Sequence, residues 1–274
     1  MCELLGMECN TPTDIVFSFT GLRLRGGRTG SHRDGWGLAF YEGRAARVFM
    51  DPAPAADCPL AHFLSQHPIH TTLAIGHIRK KTRGPTCVAN THPFVRELWG
   101  RHWVFAHNGT LPLVRRRKLG RFRPLGTTDS EYAFCCLLEA LRTSFADYPR
   151  SVRQLWEAVA DIGGDLGTPG VFNFLLGDGR HLFARCATRL WHIVRRAPFG
   201  RAVLQDDEVE IDFSAVTTPN DRVAIVATAP LTVNERWIQG VPGELWVFDG
   251  GVLRATLPSR APQRRPTAQR RAHP

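Results

Sequence analysis

Met1-Cys2-Glu3-Leu4-Leu5-Gly6 begins the chain, and the cysteine at the second position is the feature that organises the rest of the sequence. The small side chain of Cys2 allows Met1 to be removed, which would leave a thiol and a free α-amine on one residue. An α-amine has a reference pKa of about 8, so it can act as the base for its own thiol. Taken alone, the stretch also fits a chance cysteine in a first strand.

The composition indicates a folded protein with no membrane span. Of the 274 residues, 43% are hydrophobic, which is enough apolar side chain for a large core. No apolar run reaches about 18 residues, and no secretory signal precedes the first strand. We therefore expect a cytoplasmic protein. The seven cysteines have no C-x-x-C spacing, so we expect reduced thiols and neither a metal site nor a cofactor.

The net charge of +10 is concentrated in two stretches of the chain. Five arginines lie in the Pro-, Ala- and Gln-rich segment 258–274, which we expect to be a disordered tail because it has no hydrophobic period. Residues 2–257 would then form one domain. The second basic stretch is a predicted loop at 115–123. It fits a solvated loop or a surface for an acidic partner better than a nucleic-acid site, because Phe122 is its single aromatic residue.

The apolar pattern predicts strands at both ends of the chain and helices between them. Helices are predicted over 60–66, 132–141 and 151–162. The predicted strands are 36–41, 45–50, 71–78, 93–95, 103–106, 172–176, 181–186, 190–195, 222–228, 244–248 and 252–257. This order predicts an α+β fold in which stacked antiparallel sheets are covered by helices.

Polar groups follow several of these elements and can converge on one cleft. Asn108, with the backbone N–H of Gly109, offers two donors for an oxyanion, although Asn-Gly alone also fits a hairpin turn. Arg79 can clamp a carboxylate. Asp129 can neutralise an ammonium, and it or Thr128 can cap the following helix. Together with the Cys2 thiol, these groups suit an α-amino acid with a distal carbonyl.

Six motifs resemble, in order, those of the class II glutamine amidotransferases: Cys2, HRDGWGLA (32–39), GHIRKKTRG (76–84), NTHPF (90–94), AHNGTL (106–111) and TDSE (128–131). Shorter stretches at 230–232, 234–235 and 242–245 resemble the stand-alone bacterial branch, which has no attached synthase domain. The resemblance implies the N-terminal-nucleophile hydrolase fold, a four-layer αββα sandwich of two antiparallel sheets flanked by helices.

The resemblance also implies roles for three catalytic residues. Cys2 matches the nucleophile, and its α-amine matches the general base. Asn108 and the N–H of Gly109 match the oxyanion hole. The implied reaction is attack of the Cys2 thiolate on the side-chain amide of glutamine, release of ammonia, and hydrolysis of a glutamyl thioester.

Substrate-binding positions follow from the same motifs. Arg79 matches the clamp on the glutamine α-carboxylate, with Thr82 beside it. Asp129 matches the acceptor of the α-ammonium. His92 and His107 match positions near the pocket, where a structural role is an alternative for each of them.

Two departures from the family pattern leave other functions open. Many members have an aromatic residue after the clamp arginine and a histidine before the glycine of that motif, where this chain has Lys80 and Arg83. Such a basic pair would also suit a γ-glutamyl amide with an acidic extension. A subunit that passes ammonia to a separate synthase, and a catalytically silent binding protein that uses the basic loop and tail, are further alternatives.

Overall fold

The structure is a computed structural model and describes residues 2–82 and 84–259. Its four α-helices in chain order are α1 (Val16–Arg25), α2 (Pro59–Leu64), α3 (Asp129–Ser144) and α4 (Val152–Leu166). Its strands are β1 (Glu3–Asp14), β2 (Trp36–Glu42), β3 (Ala45–Asp51), β4 (His70–Ile78), β5 (Phe94–Glu97), β6 (His102–Thr110), β7 (Val171–Gly177), β8 (Leu182–Cys186), β9 (Trp191–Arg196), β10 (Arg201–Val203), β11 (Glu210–Asp212), β12 (Arg222–Ala227), β13 (Ile238–Gln239), β14 (Glu244–Phe248) and β15 (Leu253–Pro258).

Two antiparallel sheets contain all but two of these strands. The first sheet has seven strands in the order β13-β9-β12-β1-β4-β2-β3, and the second has six in the order β15-β14-β8-β7-β6-β5. The remaining pair, β10 and β11, forms a separate hairpin. No helix of the described residues is long and apolar enough to cross a membrane.

Three apolar clusters hold four layers together. Successive residues of β1 belong to different clusters, because successive side chains of a strand point to opposite faces of the sheet. Leu5 joins the cluster between the first sheet and helices α1 and α2, whereas Leu4 joins the cluster between the two sheets. The third cluster packs α3 and α4 on the second sheet around Phe105 and Phe134, whose rings stack at 5.0 Å. The predicted α+β sandwich of two helix-flanked antiparallel sheets is confirmed.

Strand β1 occupies the middle of its sheet and places the start of the chain. It pairs with β4 on one side and with β12, from the far end of the sequence, on the other. Beyond β12, Thr228 exchanges two hydrogen bonds with Leu4, because its hydroxyl accepts from the Leu4 N–H at 2.9 Å and its own N–H donates to the Leu4 carbonyl at 3.2 Å. Cys2, the residue before β1, is therefore held at the end of a central strand of the first sheet.

The structure decides one alternative left open by the sequence and shows where the described part of the fold ends. Asn108-Gly109 is not a hairpin turn, because both residues lie inside β6 and pair with Asn173 and Phe172 of β7. Strand β15 runs to Pro258, and Ser259 is fully buried, so two residues after the predicted boundary at 257 pack with the described fold. The rest of the predicted tail, 260–274, lies outside the described residues.

Candidate active site

A cavity of about 470 Å³ opens where β1 begins, β4 and β6 end, and α3 starts. The eight site residues predicted from the sequence all line it: Cys2, Arg79, Thr82, His92, His107, Asn108, Gly109 and Asp129. They come from separate parts of the sequence, so the pairing of β1 with β4 and the stacking of the two sheets bring them together.

Cys2 lies at the wall of the cavity with its sulfur beside the backbone of Lys80. The Lys80 N–H donates to Sγ at 3.3 Å, and the Lys80 carbonyl oxygen lies 3.5 Å from the same sulfur. Burial raises the pKa of the Cys2 thiol above its ordinary value, and the hydrogen bond from Lys80 partly offsets this rise. Because the thiol is protonated at neutral pH, an attack by Cys2 requires a base that removes its proton.

Arg79 follows β4 directly and is almost fully buried, with 3% of its surface exposed. Its backbone N–H donates to the Gly35 carbonyl at 2.7 Å, which continues the sheet by one residue. Its Nη1 donates to the carbonyl oxygens of Asp34 at 3.3 Å and Pro85 at 3.2 Å. These neutral acceptors fix the plane of the guanidinium, so its orientation is set before any ligand binds.

Asn108 lies in β6, and its side chain connects this strand to Cys2. Asn108 Nδ2 donates to the backbone carbonyl of Cys2 at 2.7 Å, and the backbone carbonyl of Asn108 accepts from Asn173 Nδ2 at 3.1 Å. Gly109 has φ +156°, and a Cβ at this position would collide with the Val171 carbonyl oxygen. Only glycine fits so close to β7. Because Gly109 has no side chain, its backbone lines the cavity directly.

Asp129 is the first residue of α3, whereas the cap is Thr128, whose hydroxyl accepts from the Glu131 N–H at 3.2 Å. The Asp129 carboxylate accepts from the N–H of Leu111 at 2.7 Å and of Ser130 at 3.0 Å. Of the two residues that the sequence offered as caps, Thr128 is therefore the one that caps the helix. Each carboxylate oxygen keeps a lone pair for a cationic ligand.

His107 is buried beside the cavity between two partners. Its Nδ1 lies 2.8 Å from Ser130 Oγ and its Nε2 lies 3.0 Å from the Val171 carbonyl. A carbonyl can only accept, so Nε2 carries the proton and Nδ1 accepts from the serine hydroxyl. Burial lowers the pKa of His107, opposed by the nearby Asp129 carboxylate. This neutral ring braces β6 against β7 and α3.

The mouth of the cavity is basic. Lys80, Lys81 and Arg115 are among its lining residues. Lys80 Nζ donates to Ser31 Oγ at 2.7 Å, and Arg115 Nη2 donates to the Thr127 carbonyl at 2.6 Å. The other basic departure from the family pattern, Arg83, lies outside the described residues.

Sequence reasoning missed Asp34, which organises the loop after Arg79. Its Oδ2 accepts from the Lys81 N–H at 2.9 Å and its Oδ1 accepts from the Thr86 hydroxyl at 3.3 Å. Asp34 lies in the motif HRDGWGLA (32–39), and its place in this motif was the one signal in the sequence that could have identified it as a site residue. Its contact with a segment about 50 residues away follows only from the strand pairing of β2 with β4.

Comparison with known proteins places the whole chain in one group. The family model for class-II glutamine amidotransferases matches residues 1–272. The YafJ protein of Escherichia coli (strain K12) is 52% identical over 248 residues, covering 90% of this chain and 97% of the relative. A relative from Haemophilus influenzae (strain ATCC 51907 / DSM 11121 / KW20 / Rd) is 46% identical over 251 residues, covering 92% of this chain and 85% of its own.

Solved structures share the same architecture. A crystal structure of a predicted glutamine amidotransferase from Pseudomonas aeruginosa PA01 has a TM-score of 0.74 and 45% identity, covering 93% of this chain and all of the other. Glutamine phosphoribosylpyrophosphate amidotransferase from B. subtilis has a TM-score of 0.61, covering 94% of this chain and 49% of the other. At 14% identity, this second likeness concerns the fold alone.

Proposed function

This chain belongs to the class-II glutamine amidotransferases, and we propose that it hydrolyses the side-chain amide of glutamine with Cys2 as the nucleophile. Removal of Met1 frees the Cys2 α-amine, which takes the thiol proton directly or through one water. The thiolate attacks the amide carbon, ammonia leaves with the returned proton, and a γ-glutamyl thioester remains. Water then cleaves the thioester and releases glutamate.

The oxyanion of this reaction would be held by Asn108 and Gly109. One of the two Asn108 Nδ2 hydrogens is donated to the Cys2 carbonyl, and the other is available for the ligand. The N–H of Gly109 is the second donor of the proposed pair. Removing one donor of this kind typically raises the barrier by about 3–4 kcal/mol.

The α-amino and α-carboxylate groups of glutamine would be bound by opposite charges on two sides of the cavity. Arg79 clamps the carboxylate, with Thr82 beside it, and Asp129 accepts the ammonium. The fixed guanidinium of Arg79 and the backbone bonds of Asp129 support this arrangement, because both groups are held in place without a ligand.

The observation that carries this proposal is the convergence of the Cys2 thiol, the Arg79 guanidinium, the Asn108 side-chain amide and the Asp129 carboxylate on one cavity. Each group has an ordinary structural explanation when it is considered alone. A cavity that gathers all four has the chemistry to recognise both ends of glutamine.

A γ-glutamyl amide with a larger, acidic leaving group is the second candidate substrate. Two observations favour it, namely the basic mouth formed by Lys80, Lys81 and Arg115 and the cavity volume of about 470 Å³. Pockets for drug-sized ligands span about 300–1,000 Å³, so this cavity has room for more than an amide nitrogen. With either substrate, we propose that a separate synthase is the acceptor when the ammonia is used in synthesis.

The test is the intact mass of the protein before and after incubation with an electrophilic glutamine analogue. We expect loss of Met1 and one adduct per chain, mapped to the N-terminal peptide. Cys2→Ala should abolish the adduct, whereas Cys87→Ala should keep it; Cys2 and Cys87 are the two cysteines that are not buried. Retained Met1, or an adduct that survives Cys2→Ala, would refute the proposed role of Cys2.

A further inference from the structure

Lys80 contacts the Cys2 sulfur through both of its backbone groups. Its N–H donates to Sγ at 3.3 Å, and its carbonyl oxygen lies 3.5 Å from the same atom, where it can accept from the thiol. These groups belong to two different peptides, the one that joins Arg79 to Lys80 and the one that joins Lys80 to Lys81. Because Lys80 and Lys81 are exposed, the protein needs a further contact to fix the directions of these peptides.

Asp34 holds each of the two peptides from the end opposite to the sulfur. Its backbone N–H donates to the Arg79 carbonyl at 3.2 Å, and its Oδ2 accepts from the Lys81 N–H at 2.9 Å. The carbonyl and the N–H of a trans peptide point in opposite directions. Each peptide therefore lies between Asp34 on one side and Cys2 Sγ on the other.

The same residue also holds the guanidinium of the proposed carboxylate clamp. The Asp34 carbonyl accepts from Arg79 Nη1 at 3.3 Å. This contact and the bond to the Arg79 carbonyl both use the main chain of Asp34, so they do not depend on its side chain. The bond to the Lys81 N–H does depend on the carboxylate. A change of the Asp34 side chain therefore acts on the sulfur and leaves the clamp in place.

Asp34 reaches the cavity only through these backbone groups, because it is not among the residues that line the cavity. The direction of its carboxylate is fixed by bonds to the second oxygen. Oδ1 accepts from the Thr86 hydroxyl at 3.3 Å and lies 3.4 Å from Lys81 Nζ. The Lys81 side chain is 48% exposed, so water screens this ion pair. The hydrogen bond to the Lys81 N–H is therefore the contact that matters for the site.

We propose that Asp34 is the positioning residue of the Cys2 nucleophile. This inference rests on the proposed function. The carboxylate sets the peptide between Lys80 and Lys81, and this peptide, together with the one before it, holds Sγ where it attacks the amide carbon. Without the carboxylate, water can satisfy the exposed Lys81 N–H, but water does not fix the direction of the peptide. The sulfur is then displaced while the fold is retained.

The experiment compares two alkylating reagents on the same cysteine, with the adduct measured by mass on the N-terminal peptide. An electrophilic glutamine analogue reacts from within the proposed site, so its rate at saturation depends on where Sγ lies. Iodoacetamide has no such requirement and reports the intrinsic reactivity of the thiol. For Asp34→Ala we expect the saturating rate with the analogue to fall about 100-fold, as for a reacting atom misplaced by about 1 Å.

Two quantities should stay close to their wild-type values in Asp34→Ala. The first is the half-saturating concentration of the analogue, because the main chain of residue 34 still holds Arg79. The second is the rate with iodoacetamide, because the thiol is displaced but not removed from its surroundings. A general loss of structure would change both quantities together with the saturating rate, so this combination is specific to positioning.

Two further variants complete the design. In Asp34→Asn the amide oxygen can accept from the Lys81 N–H and the amide nitrogen can donate to the Thr86 hydroxyl, so we expect a saturating rate close to that of the wild type. Asp51→Ala is the matched control. Asp51 is also half-buried, ends β3 of the same sheet and accepts from the Ala53 N–H at 2.7 Å, but it does not line the cavity. We expect Asp51→Ala to leave both rates unchanged.

Four outcomes would overturn the inference while the proposed function stands. An unchanged saturating rate in Asp34→Ala would show that the carboxylate does not position Sγ. Equal losses with both reagents would assign the effect to the reactivity of the thiol. A higher half-saturating concentration with an unchanged saturating rate would assign it to ligand binding. A rate in Asp34→Asn as low as in Asp34→Ala would show that charge is required.

Failure of the proposed function gives a different result. In that case wild-type Cys2 reacts with iodoacetamide but not with the glutamine analogue. If Asp34→Ala does not fold, Asp34→Leu carries the same test, because leucine has a similar branched shape and no hydrogen-bond acceptor.

Discussion

Replacing Glu131 by Ala should loosen one wall of the cavity and lower the stability of the whole domain. Glu131 is 1% exposed, and its carboxylate accepts from Arg96 Nη2 at 2.6 Å, the Leu125 N–H at 2.9 Å and the Gly126 N–H at 2.7 Å. The variant removes the only carboxylate partner that the described residues offer to a largely buried guanidinium, which keeps the backbone carbonyls of Val95 and Arg123 as acceptors. It also leaves the two backbone donors without the acceptor that Glu131 provides. Breaking a buried pair in this way costs about 3–5 kcal/mol.

For a domain of this size, each kcal/mol corresponds to a shift in Tm of about 2–4 °C, so the expected loss is roughly 6–20 °C. The released segment leads into Thr127 and Thr128, which both line the cavity. KM for glutamine should therefore rise as well. Thermal unfolding and steady-state kinetics of the same preparation measure the two effects.

Glu139→Ala is the control within the same helix. Glu139 also accepts three hydrogen bonds, two from the Arg142 guanidinium and one from the Arg121 N–H. Its arginine partner is 42% exposed, however, so water can replace the lost carboxylate. Exposed pairs contribute about 0–1 kcal/mol, so the Tm of this variant should fall by at most a few degrees. Equal losses for Glu131→Ala and Glu139→Ala would refute the reasoning that burial makes the difference.

Two other predictions concern charge. Asp129→Asn should raise KM for glutamine roughly tenfold to a hundredfold, because a substrate ammonium without its counter-charge costs about 1–3 kcal/mol; an unchanged KM in steady-state assays would exclude the proposed ammonium site. Burial raises the pKa of Glu8 to about 7, and the protonated form is therefore favoured by folding. Its contribution to stability is present below the ordinary pKa of about 4.5 and is lost as the pH rises through about 7. Melting curves from pH 5 to pH 8.5 should show this decline in the wild type and a flatter profile in Glu8→Gln; parallel profiles would contradict the assignment.

Most of the strands could be predicted from local signals, whereas several residues that line the cavity, such as Thr82, His92 and His107, were predicted from the resemblance to family motifs. Alternating apolar residues marked the strands, and polar residues at their ends marked the cavity; Arg79 directly after β4 is an example. Asn108-Gly109 shows where local signals mislead. The pair has the sequence of a turn, but both residues lie in β6 and pair with Asn173 and Phe172 of β7.

Other features follow from pairings that no local pattern contains. The stack of His92 on His77 needs the register of β2 with β4 and the packing of Thr91 and His92 on Gly35 and Gly37. Buried Arg185 is another case. It donates to both the hydroxyl and the carbonyl of Ser259, 74 residues away, and thereby holds the end of β15.

The central position of β1 has a consequence for the order in which the protein is made. Strand β1, which follows Cys2, is synthesised before the other strands of its sheet. One of its two neighbours, β12, is synthesised more than 200 residues later, as is the Thr228 hydroxyl that holds Leu4. Contacts of such long sequence separation form late in folding. The proposed nucleophile, Cys2, therefore precedes a strand that lacks its β12 neighbour during most of translation, and we expect fragments that end before β12 to be inactive toward glutamine.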